Sequence, residues 1–352
     1  MPGRLVVILG AGASADSASA RVAGRELNWR PPLVTELFAE RFVNTLNQYP
    51  VAQAAAADIR RVEQSSLSIE QFLRETYADR QEALPRRKFL SIPLYLQQVL
   101  LQVSYQYTPQ PDNYDLLLSR LFDLLENTDL NVVFVTLNYD LLLDRRLNHL
   151  FGRLDTLEAY IAPDRRWSLI KLHGSVDWGR PVLSARRDGD LFDPPVDLRT
   201  SDQIVLARGP LNHRRAPELK SLRETHSENG EIINLYPAHA VPLGEDDEAV
   251  CPPEHFGFLK NELQAADALH LLVIGYSGVD QELLTLLGQT GALIKSFGIV
   301  NRDLATGQQV LARLSTGIVR ELGDGWIYQG SFGDFVQGDG WNEYLGHLTR
   351  NL

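Results

Sequence analysis

The segment Arg4-Leu-Val-Val-Ile-Leu-Gly-Ala-Gly-Ala-Ser-Ala15 joins a continuous apolar run to a glycine-rich turn. The run Arg4–Leu9 has the length and apolar character of a strand that is buried in a parallel sheet. The turn has the spacing G-x-G-x-x-A, in which small residues permit a tight turn and let main-chain amides approach a pyrophosphate. Glycine-rich turns between a strand and a helix also occur for purely structural reasons. Because a strand precedes it directly, nucleotide binding is the favoured interpretation of this turn.

The composition predicts a globular protein of one large domain or two smaller ones, with 352 residues of which 44% are apolar and 22% charged. The one cysteine, Cys251, cannot form a disulfide or a cysteine zinc site within a single chain, which fits a reducing cytosol. No apolar run approaches the roughly 20 residues that span a bilayer, and no signal peptide is recognisable, so we expect a cytoplasmic protein without membrane contact. The net charge of −11 argues against broad nucleic-acid binding.

Four later apolar runs predict further strands, at Asn131–Thr136, 168–172, Ala268–Ile274 and 296–300. Helical patterns at 256–266 and 280–287 alternate with the last of these strands, and a turn at residues 301–303 leads into another helix. Alternation of strands and helices at this spacing favours an α/β fold, a Rossmann-like parallel sheet with helices on both faces.

Two insertions interrupt the alternation. Residues 51–127 are helical in pattern, with a break or kink expected at Pro93, and Pro31 and Pro32 are expected to open an earlier helix with Leu33 and Leu37 on one face. Residues 179–253 are rich in Pro, Gly, Asp and Arg and predict a small irregular insert. We therefore expect a nucleotide-binding domain from residues 1–178 and 254–352, with the insert as a separate small unit.

Polar residues follow several of the predicted strands. Asn138 and Asp140 follow one strand, His173 the next, Ser277 a third and Asn301 a fourth. In open parallel sheets, ligands bind in the crevice outside the carboxyl ends of the strands, so these residues are expected to line one site. Each also has a structural interpretation, as a helix cap, a turn residue or a buried structural histidine. Asp280 is interpreted as a helix cap.

An ordinary dehydrogenase is disfavoured. Such an enzyme places an acidic residue about 20 positions after the glycine turn, at the end of a second strand, to bind the adenosine ribose. Here that region reads Trp29-Arg-Pro-Pro32 and leads into a predicted helix.

Five short motifs occur in the order that they have in sirtuins. They are Gly10-Ala-Gly-Ala-Ser14, Thr136-Leu-Asn-Tyr-Asp140, Lys171-Leu-His-Gly-Ser175, Gly275-Tyr-Ser277 and Ile299-Val-Asn301. Over this span the chain resembles the sirtuin-like branch of prokaryotic antiphage defence proteins. Each motif is short, and the specificity of the resemblance comes from their common order.

The resemblance implies a role for each matching residue. Gly10, Ala11, Gly12 and Ser14 would cradle the phosphates of NAD; Asn138 and Asp140 would lie beside the nicotinamide and its ribose; His173 would be the general base; Gly275 and Ser277 would contact phosphate or ribose; and Asn301 would bind the adenosine ribose. NAD would be a substrate, and no metal is expected.

Two departures from the sirtuin pattern bear on the reaction. Sirtuin deacylases carry a zinc ribbon of four cysteines, which this chain cannot supply, and the deacylase pattern Ser-Gly-x-Pro-x-Phe-Arg is replaced by Ser17-Ala-Ser-Ala20. Defence proteins of this branch hydrolyse NAD to nicotinamide and ADP-ribose. The resemblance therefore implies an NAD hydrolase that is latent until activated, forms homo-oligomers and has a partner such as an ATPase or sensor encoded nearby. A protein deacylase or ADP-ribosyltransferase, and a non-catalytic NAD or ADP-ribose sensor, remain alternatives.

Overall fold

The computed structural model describes most of the chain: residues 3–17, 30–33, 36–62, 83–106, 112–152, 154–186, 203–206, 214–215, 224–226, 232–239, 250–290, 293–317 and 323–352. In chain order its strands are β1 (Arg4–Leu9), β2 (Asn131–Thr136), β3 (Trp167–Lys171), β4 (Gly174–Arg186), β5 (Gln203–Leu206), β6 (Arg214–Arg215), β7 (Glu224–His226), β8 (Ile232–His239), β9 (Ala268–Ile274), β10 (Leu293–Asn301) and β11 (Asp324–Gln329).

The described residues also form helices. They are α1 (Ala11–Ala15), α2 (Val43–Leu46), α3 (Pro50–Val62), α4 (Ala83–Gln106), α5 (Asn113–Glu126), α6 (Leu142–Phe151), α7 (Pro253–Ala265), α8 (Gln281–Gly288), α9 (Leu304–Gly317), α10 (Phe332–Gln337) and α11 (Gly340–Thr349), with short 3-10 helices at Glu40–Phe42 and Glu158–Ile161. In this described part of the chain, no helix combines the length and apolar character that crossing a membrane requires.

The main sheet has six parallel strands in the order β11-β10-β9-β1-β2-β3. Counted along the chain, these six strands have the doubly wound order 3-2-1-4-5-6, which reverses between β1 and β9. The predicted fold class, a Rossmann-like α/β sheet, is confirmed. Strands β1, β2 and β9 have the predicted bounds, β10 extends beyond its predicted bounds at both ends, and β11 was not predicted.

Alternate residues of β1 belong to two different cores. Leu5 and Val7 pack with apolar side chains of α4, α5, α6 and α11, whereas Val6 and Ile8 pack with side chains of α7, α8 and α9. All six residues of β1 are buried, which is why the strand reads as a continuous apolar run. The helices of the predicted insertion at 51–127 thus cover one face of the sheet.

A continuous helix from Pro31 through Phe38 does not form, because residues 31–33 have no regular secondary structure and residues 37–38 form a turn; residue 36 has 3-10 geometry, and residues 34–35 lie outside the described residues. Ala39 is extended with φ −62° and ψ 156°. The carbonyl of Leu37 accepts a hydrogen bond from Tyr95 Oη at 2.8 Å, so a distant side chain replaces the amide of a following helical turn. Leu37 is buried as its pattern suggested, whereas Leu33 is exposed.

Helix α4 continues through Pro93, so of the break or kink expected there the break does not occur. The carbonyl oxygen of Pro93 accepts a hydrogen bond from His239 Nε2 at 3.2 Å. Helix α4 thus contacts β8 at Pro93.

The segment expected to be an irregular insert contains a second sheet. Its five strands include the order β5-β4-β8-β7, with β6 also paired to β4, and the pairs are antiparallel. Strand β4 begins at Gly174, directly after the His173 turn. It therefore crosses the predicted boundary between the nucleotide-binding domain and the insert, which was placed after residue 178. The rest of the predicted insert, including residues 187–202 and 240–249, lies outside the described residues.

Candidate functional site

The predicted site residues lie along one edge of the main sheet, where the parallel strands end. Leu9 is in register with Ile274 on one side and with Thr136 on the other, and Ile274 is in register with Val300. The turns that follow these strands therefore meet at the same edge, as expected for the carboxyl ends of a parallel sheet. Direct hydrogen bonds join Gly10, Ser14 and Asn138, whereas His173 bonds to a residue that was not assigned to the site.

The glycine turn after β1 packs tightly against the turn after β9. Gly10 N donates to Ile274 O and Gly12 N donates to Gly275 O, both at 3.0 Å. A Cβ atom on Gly10 would lie 2.4 Å from Gly275 O, and one on Gly275 would lie 2.3 Å from Ala13 N. Gly275 also has φ +61°. Glycine is therefore required at these positions by the contact between the two turns.

Replacement of Gly275 by alanine is expected to lower the free energy of unfolding by about 3 kcal/mol, because the left-handed conformation costs about 1–2 kcal/mol and overlap with α1 adds to it. Urea denaturation followed by circular dichroism measures the effect. Gly346→Ala in α11 is the control: its Cβ would meet no atom within 4 Å, and alanine favours the helix. Equal stability of Gly275→Ala and the unmodified protein would contradict the close packing of the two turns.

A buried hydrogen-bond network lies beneath the glycine turn. Asn138 Nδ2 donates to Gly10 O at 2.9 Å and to Ser14 Oγ at 3.0 Å, and Ser14 Oγ lies 2.9 Å from Tyr114 Oη. Asn138 N donates to Thr136 Oγ1 at 3.1 Å, so both ends of the asparagine are held. Its Oδ1 atom accepts no hydrogen bond from the described residues, which leaves this oxygen for a ligand or water.

The network places Ser14 differently from its expected role. The residue is only 2% exposed, and its hydroxyl is engaged by Asn138 and Tyr114. Tyr114, on α5, was missed by the sequence analysis because it lies in a helix whose other apolar residues are core. Burial raises the pKa of Tyr114 well above its usual value, with the Asp140 charge adding to the effect, so Tyr114 is a neutral hydroxyl here.

Asp140, Lys171 and Asp144 form a buried group of two carboxyls and one ammonium. Lys171 Nζ donates to the main-chain oxygen of Asp140 at 2.6 Å and to Asp144 Oδ2 at 2.8 Å, and its side chain is 0% exposed. Tyr160 Oη donates to the other oxygen of Asp144 at 2.8 Å. Lys171 and Asp144 balance each other, and Asp140 is the surplus carboxylate. Burial raises the pKa of Asp140, although Lys171 and the Leu142 amide oppose the shift.

Replacement of Asp140 by asparagine is expected to stabilise the fold at pH 7 by about 0.5–2 kcal/mol, because it removes a buried surplus charge. A carboxyl whose folded-state pKa is raised destabilises the fold as the pH rises through that pKa. The gain should therefore be full above the folded-state pKa and should shrink as the pH falls toward the unfolded value of about 4. Urea denaturation between pH 5 and pH 8 measures it, with Asp129→Asn on the surface as the control. A loss of stability at pH 7 would contradict this account.

His173 is paired with Asp280. Its Nε2 atom lies 2.7 Å from Asp280 Oδ2, and the two side chains are 27% and 14% exposed. The other carboxylate oxygen of Asp280 accepts from Leu283 N at 2.7 Å and caps α8, as predicted. Burial raises the pKa of Asp280, but the hydrogen bond with His173, the positive charge of that ring when it is protonated, and the Leu283 amide lower the pKa by more, so the net shift is downward. The carboxylate is therefore ionised and can orient the imidazole.

Ser277 and Asn301 lie at the same edge without a hydrogen bond to the other predicted site residues. Ser277 is exposed, and its carbonyl accepts from Arg313 at 2.6 Å. Asn301 Oδ1 accepts from Asp303 N at 3.1 Å, which is the turn role considered for it, and its contact with a ribose stays a prediction. No group of three or more His, Cys, Asp or Glu side chains within the described ranges is arranged to hold a metal ion.

No protein-family model matches the chain, and no curated protein matches it. Solved structures of Sir2 homologues are similar to it. A Sir2 homologue in complex with NAD is 18% identical, with a TM-score of 0.41 over 99% of this chain and 90% of that one. A Sir2 enzyme bound to a propionylated peptide is 12% identical, with a TM-score of 0.37 over 97% and 93%. At TM-scores below 0.5 these likenesses do not establish a family, and the ligand must be inferred from the residues of this chain.

Proposed function

We propose that this protein binds NAD along the carboxyl edge of the main sheet and hydrolyses its nicotinamide–ribose bond. The observation that carries the proposal is the buried carboxyl of Asp140, on the same turn as the free amide oxygen of Asn138. NAD has a cationic nicotinamide ring, and cleavage of its glycosidic bond passes through a cationic, oxocarbenium-like sugar. The ionised carboxylate of Asp140 would stabilise both, and its effect would gain strength from the low dielectric of the buried site.

The dinucleotide would extend from Asn138 across the reversal point of the sheet, between the turns after β1 and β9. The amide groups of Gly10 and Gly12 already donate hydrogen bonds within the protein, and the Ser14 hydroxyl is buried in the Asn138 network. Phosphate contacts would therefore come from the main chain around the exposed Ala11, where the small side chain allows close approach. Gly275, Ser277 and Asn301 would follow along the same edge toward the adenosine.

The reaction would need three groups of this chain. Water attacks C1′ of the nicotinamide ribose while the C1′–N bond breaks, and the bonding electron pair neutralises the ring nitrogen of the departing nicotinamide. The attacking water loses one proton, which His173 would accept, directly or through a ribose hydroxyl. Asn138 Oδ1 would orient the water or the ribose hydroxyls, and Asp140 would stabilise the positive charge of the sugar.

Incubation of NAD with the protein in H₂¹⁸O, followed by mass spectrometry, tests the proposal. We expect nicotinamide and ADP-ribose in equal amounts, with one ¹⁸O in the ADP-ribose. Addition of an acyl-lysine peptide identifies a deacylase, since the sugar would then be recovered on the acyl group. NAD that is bound but recovered intact would favour a sensor over a hydrolase.

The finer proposal is a regulated, NAD-depleting effector of antiphage defence. It is supported by the common order of the five motifs and by a chain that lacks the cysteines of a zinc ribbon. An unregulated enzyme of this kind would deplete its own cell, so we propose a latent cytoplasmic protein, assembled as a homo-oligomer and controlled by a partner such as an ATPase or sensor.

A further inference from the structure

We propose that Asp280 is a positioning residue that sets the tautomer of His173. It holds the proton of the neutral ring on Nε2 and leaves Nδ1 as the base. The hydrogen bond between His173 and Asp280 carries the assignment of the tautomer. Its catalytic consequence rests on the proposed function.

The two oxygens of Asp280 have separate partners. Oδ1 accepts from Leu283 N at 2.7 Å and caps α8, while Oδ2 faces His173 Nε2 at 2.7 Å. The main chain is held as well, because Asp280 N donates to Tyr276 Oη at 2.9 Å. The carboxylate therefore cannot turn away from His173 without losing the helix cap. A helix cap alone requires a single acceptor, which serine or asparagine also supplies.

The ring of His173 is restrained from other directions. The Tyr139 ring stacks near it, with centroids 6.1 Å apart and an interplanar angle of 27°. The next residue, Gly174, has φ +73°, and a Cβ there would lie 2.1 Å from Ala238 O, so the turn is held against β8. Because an ionised carboxylate can only accept, Nε2 must carry a proton, and Nδ1 of the neutral ring is then unprotonated.

Substitution by asparagine makes a sharp test of this arrangement. In Asp280→Asn the amide oxygen is retained by Leu283 N, so the NH₂ group faces His173 Nε2. That nitrogen must then become the acceptor, and the ring proton moves to Nδ1, which abolishes the base. In Asp280→Ser the cap is kept but the ring is no longer directed, so a mixture of the two tautomers is expected.

Nitrogen-15 NMR of histidine side chains distinguishes the two tautomers in the full chain without any ligand, and His173→Gln assigns the signal. We expect the Nε2–H form in the unmodified protein and the Nδ1–H form in Asp280→Asn. Glu282→Gln is the matched control, because it removes an exposed neighbouring carboxylate that has no hydrogen bond to His173. An Nδ1–H ring in the unmodified protein, or the same tautomer in Asp280→Asn, would overturn the proposal.

Steady-state kinetics test the catalytic consequence. We expect Asp280→Asn to lower kcat for NAD hydrolysis about 10- to 100-fold, with KM and NAD binding unchanged and Glu282→Gln close to the unmodified enzyme. A changed tautomer with unchanged kcat would overturn the positioning role. If the unmodified protein does not hydrolyse NAD, the proposed function fails. The NMR measurement still decides whether Asp280 sets the tautomer of His173.

Discussion

The His173→Ala variant is expected to lose NAD hydrolysis by about 100- to 10,000-fold while still binding NAD, because a general base contributes about this factor to the rate. The histidine ring touches neither the glycine turn nor the Asn138 network through a hydrogen bond, so its removal leaves those contacts in place. Product formation by chromatography and NAD binding by calorimetry separate the two effects.

The control for this variant is His149→Ala on α6, which removes an exposed histidine. It should hydrolyse NAD at the rate of the unmodified protein. A His173→Ala variant that turned over NAD at that rate would show that another group accepts the proton. A variant that no longer bound NAD would assign His173 to binding instead of catalysis.

Replacement of Lys171 by methionine is expected to lower the free energy of unfolding by about 3–5 kcal/mol, which is the cost of leaving a buried charge without its partner. Two carboxylates, Asp140 and Asp144, would then share the buried site without a cation. The main-chain oxygen of Asp140 would also lose its donor. Urea denaturation at pH 7 measures the loss. The variant should also bind NAD more weakly, because the turn that carries Asn138 is disturbed.

Two comparisons sharpen that measurement. Lys260→Met on α7 removes an exposed lysine and should change stability by less than about 0.5 kcal/mol. Lys171→Met should cost less when Asp140 is already asparagine, because one of the two uncompensated charges is gone. A Lys171→Met variant as stable as the unmodified protein would contradict the buried charge arrangement.

The central sheet was predictable because its strands are buried on both faces. Strands β1, β2 and β9 are continuous apolar runs, and the polar residues after them mark the carboxyl edge. Strand β11 was missed because it lies at the edge of the sheet and reads Asp-Gly-Trp-Ile-Tyr-Gln, without such a run. The second sheet was missed because its antiparallel strands lie in a segment rich in proline and glycine, where no helical or apolar periodicity appears.

The contacts between site residues could not be predicted from the sequence, because the partners lie far apart along the chain. His173 and Asp280 are 107 residues apart, and Ser14 and Tyr114 are 100 residues apart. The local pattern correctly predicts that Asp280 caps a helix. The partner of its second oxygen, His173, can be identified only from the three-dimensional structure. The glycine turn shows the converse: its spacing indicated a ligand, while the structure shows that its glycines are also required by the turn at Gly275.

Calorimetric titration of NAD⁺ and of NADH into the His173→Ala variant tests most directly the claim that Asp140 favours a cationic nicotinamide. The two ligands differ chiefly in the charge of the nicotinamide ring. We expect NAD⁺ to bind about 10-fold more tightly, a difference of about 1.4 kcal/mol that a nearby buried charge readily supplies. The preference should disappear when Asp140→Asn is added. Equal binding of the two ligands with Asp140 present, or no binding of NAD⁺, would contradict the account.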